Sequence, residues 1–115
     1  MRRAVDSLPD KPSPDELHRL RIRTKRARYA AEAVADLGGE SAELFLVALE
    51  ELQDVLGEHQ DAVVAARWLR ALEPRYALAA GELIGFEIAR ANRTAGGWPE
   101  VWRSLNRPEL TAWLG

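Results

Sequence analysis

The chain has 115 residues, 47% of them hydrophobic and 30% charged, with 16 basic against 18 acidic side chains and no cysteine. Those figures suit one soluble domain able to bury its own core, and they exclude disulfides, thiolate metal sites and cysteine nucleophiles. No apolar run approaches the ~20 residues of a membrane span, and the basic N-terminus lacks the apolar centre of a signal peptide, so a cytoplasmic setting is expected.

Residues 1–13 read as a linker or the end of a preceding helix: Ala4, Val5 and Leu8 could close such a helix, and the prolines and aspartate after them are linker chemistry. A helical domain is then expected over 14–115. Its first helix opens at Ser13-Pro14-Asp15-Glu16, with Ser13 as N-cap, Pro14 at the first helical position and Glu16 closing a capping box. Gly38-Gly39 provides a stop, so the helix should run from about Pro14 to Asp36. Leu17, Leu20, Thr24, Ala27, Ala31 and Val34 fall on one apolar stripe.

Charge is unevenly spread along this helix. Six of the eleven residues from His18 to Arg28 are Arg or Lys, and the rest of the chain holds ten basic against eighteen acidic residues. His18, Arg21, Lys25 and Arg28, at spacings of 3, 4 and 3, share a face beside the apolar stripe, whereas Arg19, Arg23 and Arg26 lie on the far side. A solvated helix face is the ordinary explanation of such a run. Against it stands the absence of any acid from residue 17 to residue 31, because like charges at i,i+4 cost a few tenths of a kcal/mol per pair. An anion bridging the cations would relieve that repulsion, and arginine grips phosphate oxygens bidentately.

The second helix should begin near Ser41 and reach about Leu72, with Phe45, Leu49, Leu52, Leu56, His59, Val63 and Ala66 as its seam. Gly57 at its middle predicts a kink or a close approach by a neighbour. His59, on the apolar seam, reads as a core histidine, and a metal site is poorly supported with two histidines and no cysteine.

A third helix is expected from Pro74 to just before Gly96-Gly97, using Leu78, Leu83, Ile84, Ile88 and Phe86, with Gly81 and Gly85 as a small surface. A short fourth follows Pro99 with Val101, Trp102 and Leu105, and the tail from Asn106 adds Leu110, Trp113 and Leu114. The four tryptophans are assigned to packing at the bundle ends. With no strand pattern, the sequence predicts an all-α fold: an antiparallel four-helix bundle with a short extra C-terminal helix.

The segment LHRLRIRTKRARYAAE (Leu17–Glu32), followed by LQDVLGEHQDAVVAARWL (Leu52–Leu69), resembles the CHAD family, the conserved histidine α-helical domains; the two segments span 34 of 115 residues. The resemblance implies two four-helix bundles related by duplication that bind inorganic polyphosphate in a basic channel. It places His18, Arg21, Lys25 and Arg28 at the basic, polyphosphate-binding positions, gives Tyr29 and Glu32, with Arg19, supporting roles, and matches Leu56-Gly57 and Asp61 to the second segment. The chain has room for one bundle, so a homodimer or a second helical bundle would complete the channel, the Gly81/Gly85 helix being one route to a dimer that brings two basic helices toward one ligand.

The expected function is therefore a non-catalytic polyphosphate or polyanion binding module, with no catalytic residue, metal or cofactor. Two alternatives stay open: a module for the phosphate backbone of nucleic acid, disfavoured because no aromatic is interleaved within the basic run, and a structural domain attached to a phosphate-processing enzyme. An enzyme is disfavoured because only Glu32 joins the basic face, and Asp54 and Asp61 lie on another helix.

Overall fold

The computed structural model describes residues 1–72 and 74–112, and among these every regular element is helical. A short helix α1 (Arg2–Asp6) is followed by a helical run α2 (Pro14–Arg70), a 3₁₀ turn at Pro74–Tyr76, helix α3 (Ala77–Leu105) and a short helix α4 (Pro108–Thr111).

The run α2 is two helices joined at one residue. Gly39 adopts φ 63° and ψ −145°, a region that side chains with a Cβ avoid, so the chain folds back there. The first arm, 14–38, starts as the sequence predicts: the Ser13 hydroxyl accepts from the Glu16 N–H at 3.1 Å, and the Ser13 N–H donates to Glu16 Oε1 at 3.0 Å. The second arm, 40–70, returns beside it. Asp15 approaches Arg67 at 4.0 Å, Arg21 lies against Gly57 and Arg28 against Gln53, a ladder that descends on one arm as it climbs on the other. The arms are antiparallel.

Their seam is the centre of the core. Leu17, Leu20 and Ala31 pack with Leu49, Leu52 and Leu56, all buried, and each such leucine contributes roughly 1.5–3 kcal/mol by leaving water. Thr24 sits in the same seam at 0% exposure because its hydroxyl donates to the Leu20 carbonyl at 2.8 Å and so enters the core satisfied. Val34, the last position of the expected stripe, is exposed instead, since it lies beyond the point where Ala31 makes the last buried contact of its arm. Met1, Val5 and Leu8 pack against the edge of this core, and the Arg2 guanidinium donates to Asn106 Oδ1 at 3.0 and 3.2 Å.

Helix α3 corrects two expectations. Gly96-Gly97 and Pro99 do not end it: Ala77–Leu105 is one helix with Pro99 inside, so the four main helices expected are three long segments with two short helices. Pro99 has no N–H to give to the Ala95 carbonyl, but burial of Trp98 and Leu105 on either side of it holds the helix together.

The seam of α3 also differs. Leu78, Leu83, Phe86 and Ile88, read from the sequence as core, are exposed, whereas Ala80, Thr94, Trp98 and Leu105 are buried. The packed stripe starts at Ala80 and runs through Thr94 and Trp98 to Leu105, while Leu78, Leu83 and Phe86 are turned outward. Of the tryptophans, Trp98 and Trp102 pack as expected, Trp68 is 65% exposed, and Trp113 lies outside the described residues, as does Leu114.

Gly39→Ala should destabilise the fold by about 1–3 kcal/mol in denaturant unfolding, because alanine resists that backbone conformation. Gly81→Ala, helical and with nothing within 4 Å of the added methyl, should instead stabilise by about 0.5–1 kcal/mol.

Candidate anion-binding site

The hairpin decides where each basic side chain of the first arm goes. Position 28 lies next to the core stripe, so Arg28 leaves the arm toward its neighbour: Nη1 donates to Gln53 Oε1 at 3.0 Å, and Nε lies 3.3 Å from Glu32 Oε1 one turn on. Its side chain is 26% exposed, so this is a half-buried guanidinium held from two sides. Two turns earlier, Arg21 lies over Gly57, where a Cβ would meet Arg21 Nε at 3.5 Å. Helix 40–70 is unkinked at Gly57, so of the two expectations for that glycine the close approach holds, and what approaches is a side chain.

His18 is half-buried on the same flank, and its Nδ1, like Nε of Arg21, is shielded from solvent with no hydrogen-bond partner among the described residues. Lys25 is exposed. The Tyr29 ring, 51% exposed, stands between two cations: the Arg28 guanidinium is 5.2 Å from its centroid and the Lys25 ammonium 6.0 Å. Both are within cation–π range, so the ring orders the cations beside it. His18, Arg21, Lys25, Arg28, Tyr29 and Glu32 thus share one edge of the hairpin. Arg19 does not join them; with Arg23 it lines a separate depression beside Ala4, Ser7 and Leu8.

Sequence reasoning missed the second arm's share of this edge. Gln53, Gly57 and Gln60 follow one another at spacings of 4 and 3, and Gln53 and Gly57 both touch the cations opposite. The signal was present: positions 53, 57 and 60 carry amides and a glycine, on an arm where Glu50, Glu51, Asp54, Glu58 and Asp61 are all exposed. A carboxylate at 53 or 57 would have neutralised the facing arginine; an amide accepts one hydrogen bond and leaves the charge in place.

The CHAD domain family model matches residues 1–70. The chain belongs to the CHAD domain family. The matched region ends where the second arm ends, so it contains α1, both arms of the hairpin and every residue of the candidate edge, and it leaves α3 outside. No curated protein and no solved structure matches the chain.

Two other features bear on chemistry. Among the described residues there is no group of three or more His, Cys, Asp or Glu placed to hold a metal ion, and no helix is long and apolar enough to cross a membrane. His59, the second histidine of the CHAD domain, is 4% exposed on the core seam, its Nδ1 has no hydrogen-bond partner among the described residues, and burial lowers its pKa from 6.5 by penalising the imidazolium.

A lowered folded pKa means that the unfolded chain takes up the proton first. The stability that depends on neutral His59 is therefore complete above pH 6.5 and declines as pH falls below it. Thermal unfolding followed from pH 7.5 to 5.5 should show a falling midpoint in this chain, above the range of ordinary carboxylates, and His59→Leu should flatten the profile.

Proposed function

We propose that this CHAD domain is a non-catalytic module, working in the cytoplasm, that binds inorganic polyphosphate or a similar polyanion along His18, Arg21, Lys25 and Arg28. The observation that carries the reading is the way the two half-buried arginines are held. Arg28 is held by Gln53, and Arg21 is accommodated by the space at Gly57; among the described residues the acid paired with either guanidinium is Glu32, on Arg28. Confined cations of one sign repel, and an anion running along the edge replaces that repulsion with charge-assisted hydrogen bonds. Arginines supply bidentate grips for phosphate oxygens, and exposed Lys25 supplies a mobile point charge. The proposed partners are the polyanion and a second copy of the chain, with neither a metal nor a cofactor taking part.

Single-stranded nucleic acid is a second reading, favoured by one observation: the ring of Tyr29 is exposed at the end of the cationic edge, where a base could stack. The two separate in competition. Tyr29→Ala should leave polyphosphate affinity within about twofold if the ligand is polyphosphate, whereas a stacked base would lose ~1–3 kcal/mol.

The test is binding of long-chain polyphosphate across a salt series. With three or four cations engaged, log K should fall against log salt with a slope of about −2 to −3, as for other single-stranded polyanions. Lys25→Glu should weaken binding by at least about tenfold and flatten the slope, with helicity unchanged because Lys25 is exposed. Arg23→Glu, on the far flank, should cost distinctly less. Equal losses at both positions would mean general charge attraction rather than a site.

A further inference from the structure

The outward side of α3 is the largest feature that the anion reading leaves unused. Leu78 is 84% exposed there and Phe86 73%, on a helix whose inner stripe is already packed on the hairpin. Glu82, Ala89, Arg93 and Gly96 are exposed on the same side. Residues 82 and 93 are eleven apart, three helical turns, so Glu82 and Arg93 share this face but are ~16 Å apart along the axis and cannot pair within one chain. Neither has a charged partner among the described residues.

The order of these residues is self-complementary. We propose that the outer face of α3 is a dimerisation surface whose partner is the same face of a second copy, antiparallel, about a two-fold axis passing between residues 87 and 88. In that register Glu82 of one chain faces Arg93 of the other, twice over. Phe86 meets Ala89, and Leu78 meets the stretch at Gly96 and Gly97, so each large apolar side chain lands on a small one. An isologous interface requires such a pattern, in which residue i meets j and j meets i. The exposed glycines, with nothing within 4 Å of an added Cβ, leave room for the partner helix. No other two-fold register of this helix covers both Phe86 and Leu78 while pairing the two charges.

The inference is independent of the anion reading, and it alters one expectation attached to dimers of this kind. The cationic edge is on the side of the hairpin where Arg28 meets Gln53, while Ala80, Thr94 and Trp98 hold α3 with its free face turned away from the hairpin. Pairing through α3 leaves the two cationic edges apart, each able to take its own ligand strand, and does not bring them onto one.

Sedimentation equilibrium of the whole 115-residue chain, without any anion, tests it. The expected result is a reversible dimer of twice 12.8 kDa. Glu82→Arg alone, and Arg93→Glu alone, should each raise the dissociation constant by about tenfold or more, since two attractive pairs become repulsive. Mixed in equal amounts, the two variants should dimerise with each other as tightly as the parent, because both pairs are restored, one in its original polarity and one reversed. A parent that stays monomeric over the concentration series overturns the proposal. So do single variants that self-associate like the parent, or a mixture no tighter than either variant alone.

Discussion

The pairing of the two arms across Gly39 is the constraint on which everything else in this CHAD domain rests. It is made by one backbone conformation that residues with a Cβ adopt only under strain and by a leucine seam from Leu17 to Leu56. Once the arms are antiparallel at that register, the side chains at 21 and 28 must leave the first arm over positions 57 and 53 of the second. A slip of one turn would put Arg21 against Gln53 or Gln60 and lose both the space at Gly57 and the hydrogen bond to Gln53. The seam is therefore also the device that aims the arginines.

What the register creates is an electrostatic edge with little internal compensation. The arginines are anchored by a neutral amide and by packing, and the one acid paired with them among the described residues, Glu32, is 45% exposed and contributes what a partly solvated i,i+4 pair can, a few tenths of a kcal/mol. The Tyr29 ring attracts the Lys25 and Arg28 cations beside it without cancelling their charge. The repulsion left over is modest in salt and grows when water is displaced, so an anion that replaces water along the edge gains most where the cations are most confined. The far-side arginines Arg19, Arg23 and Arg26, exposed on the other flank, lack that advantage.

Most of the hairpin was legible in the sequence. The capping box, the glycine stop, the stripe through Thr24 and the seam through His59 follow from spacing alone, because each is a local pattern with one dominant face. Two things were not. Helix α3 carries apolar residues on more than one side, so size favoured Leu78, Leu83, Phe86 and Ile88 as core when the packed stripe starts from Ala80; which face wins is set by the shape of the hairpin, which the sequence of α3 does not contain. The run through Pro99 was hidden for a related reason, since burial of Trp98 and Leu105 outweighs a local breaker signal. On the candidate edge, the cationic residues were legible from their own helix, while Gln53 acquires meaning only when the register places it opposite Arg28.

The central claim is that Arg21 and Arg28, and not the arginines of the far flank, grip the anion. The most direct measurement is a titration of ¹⁵N-labelled protein with a short polyphosphate, following the arginine Nε–Hε signals by NMR. Ligand contact predicts large, saturable shifts at Arg21 and Arg28 and small ones at Arg19, Arg23 and Arg26. Shifts of similar size at all five arginines, or largest on the far flank, would contradict the account.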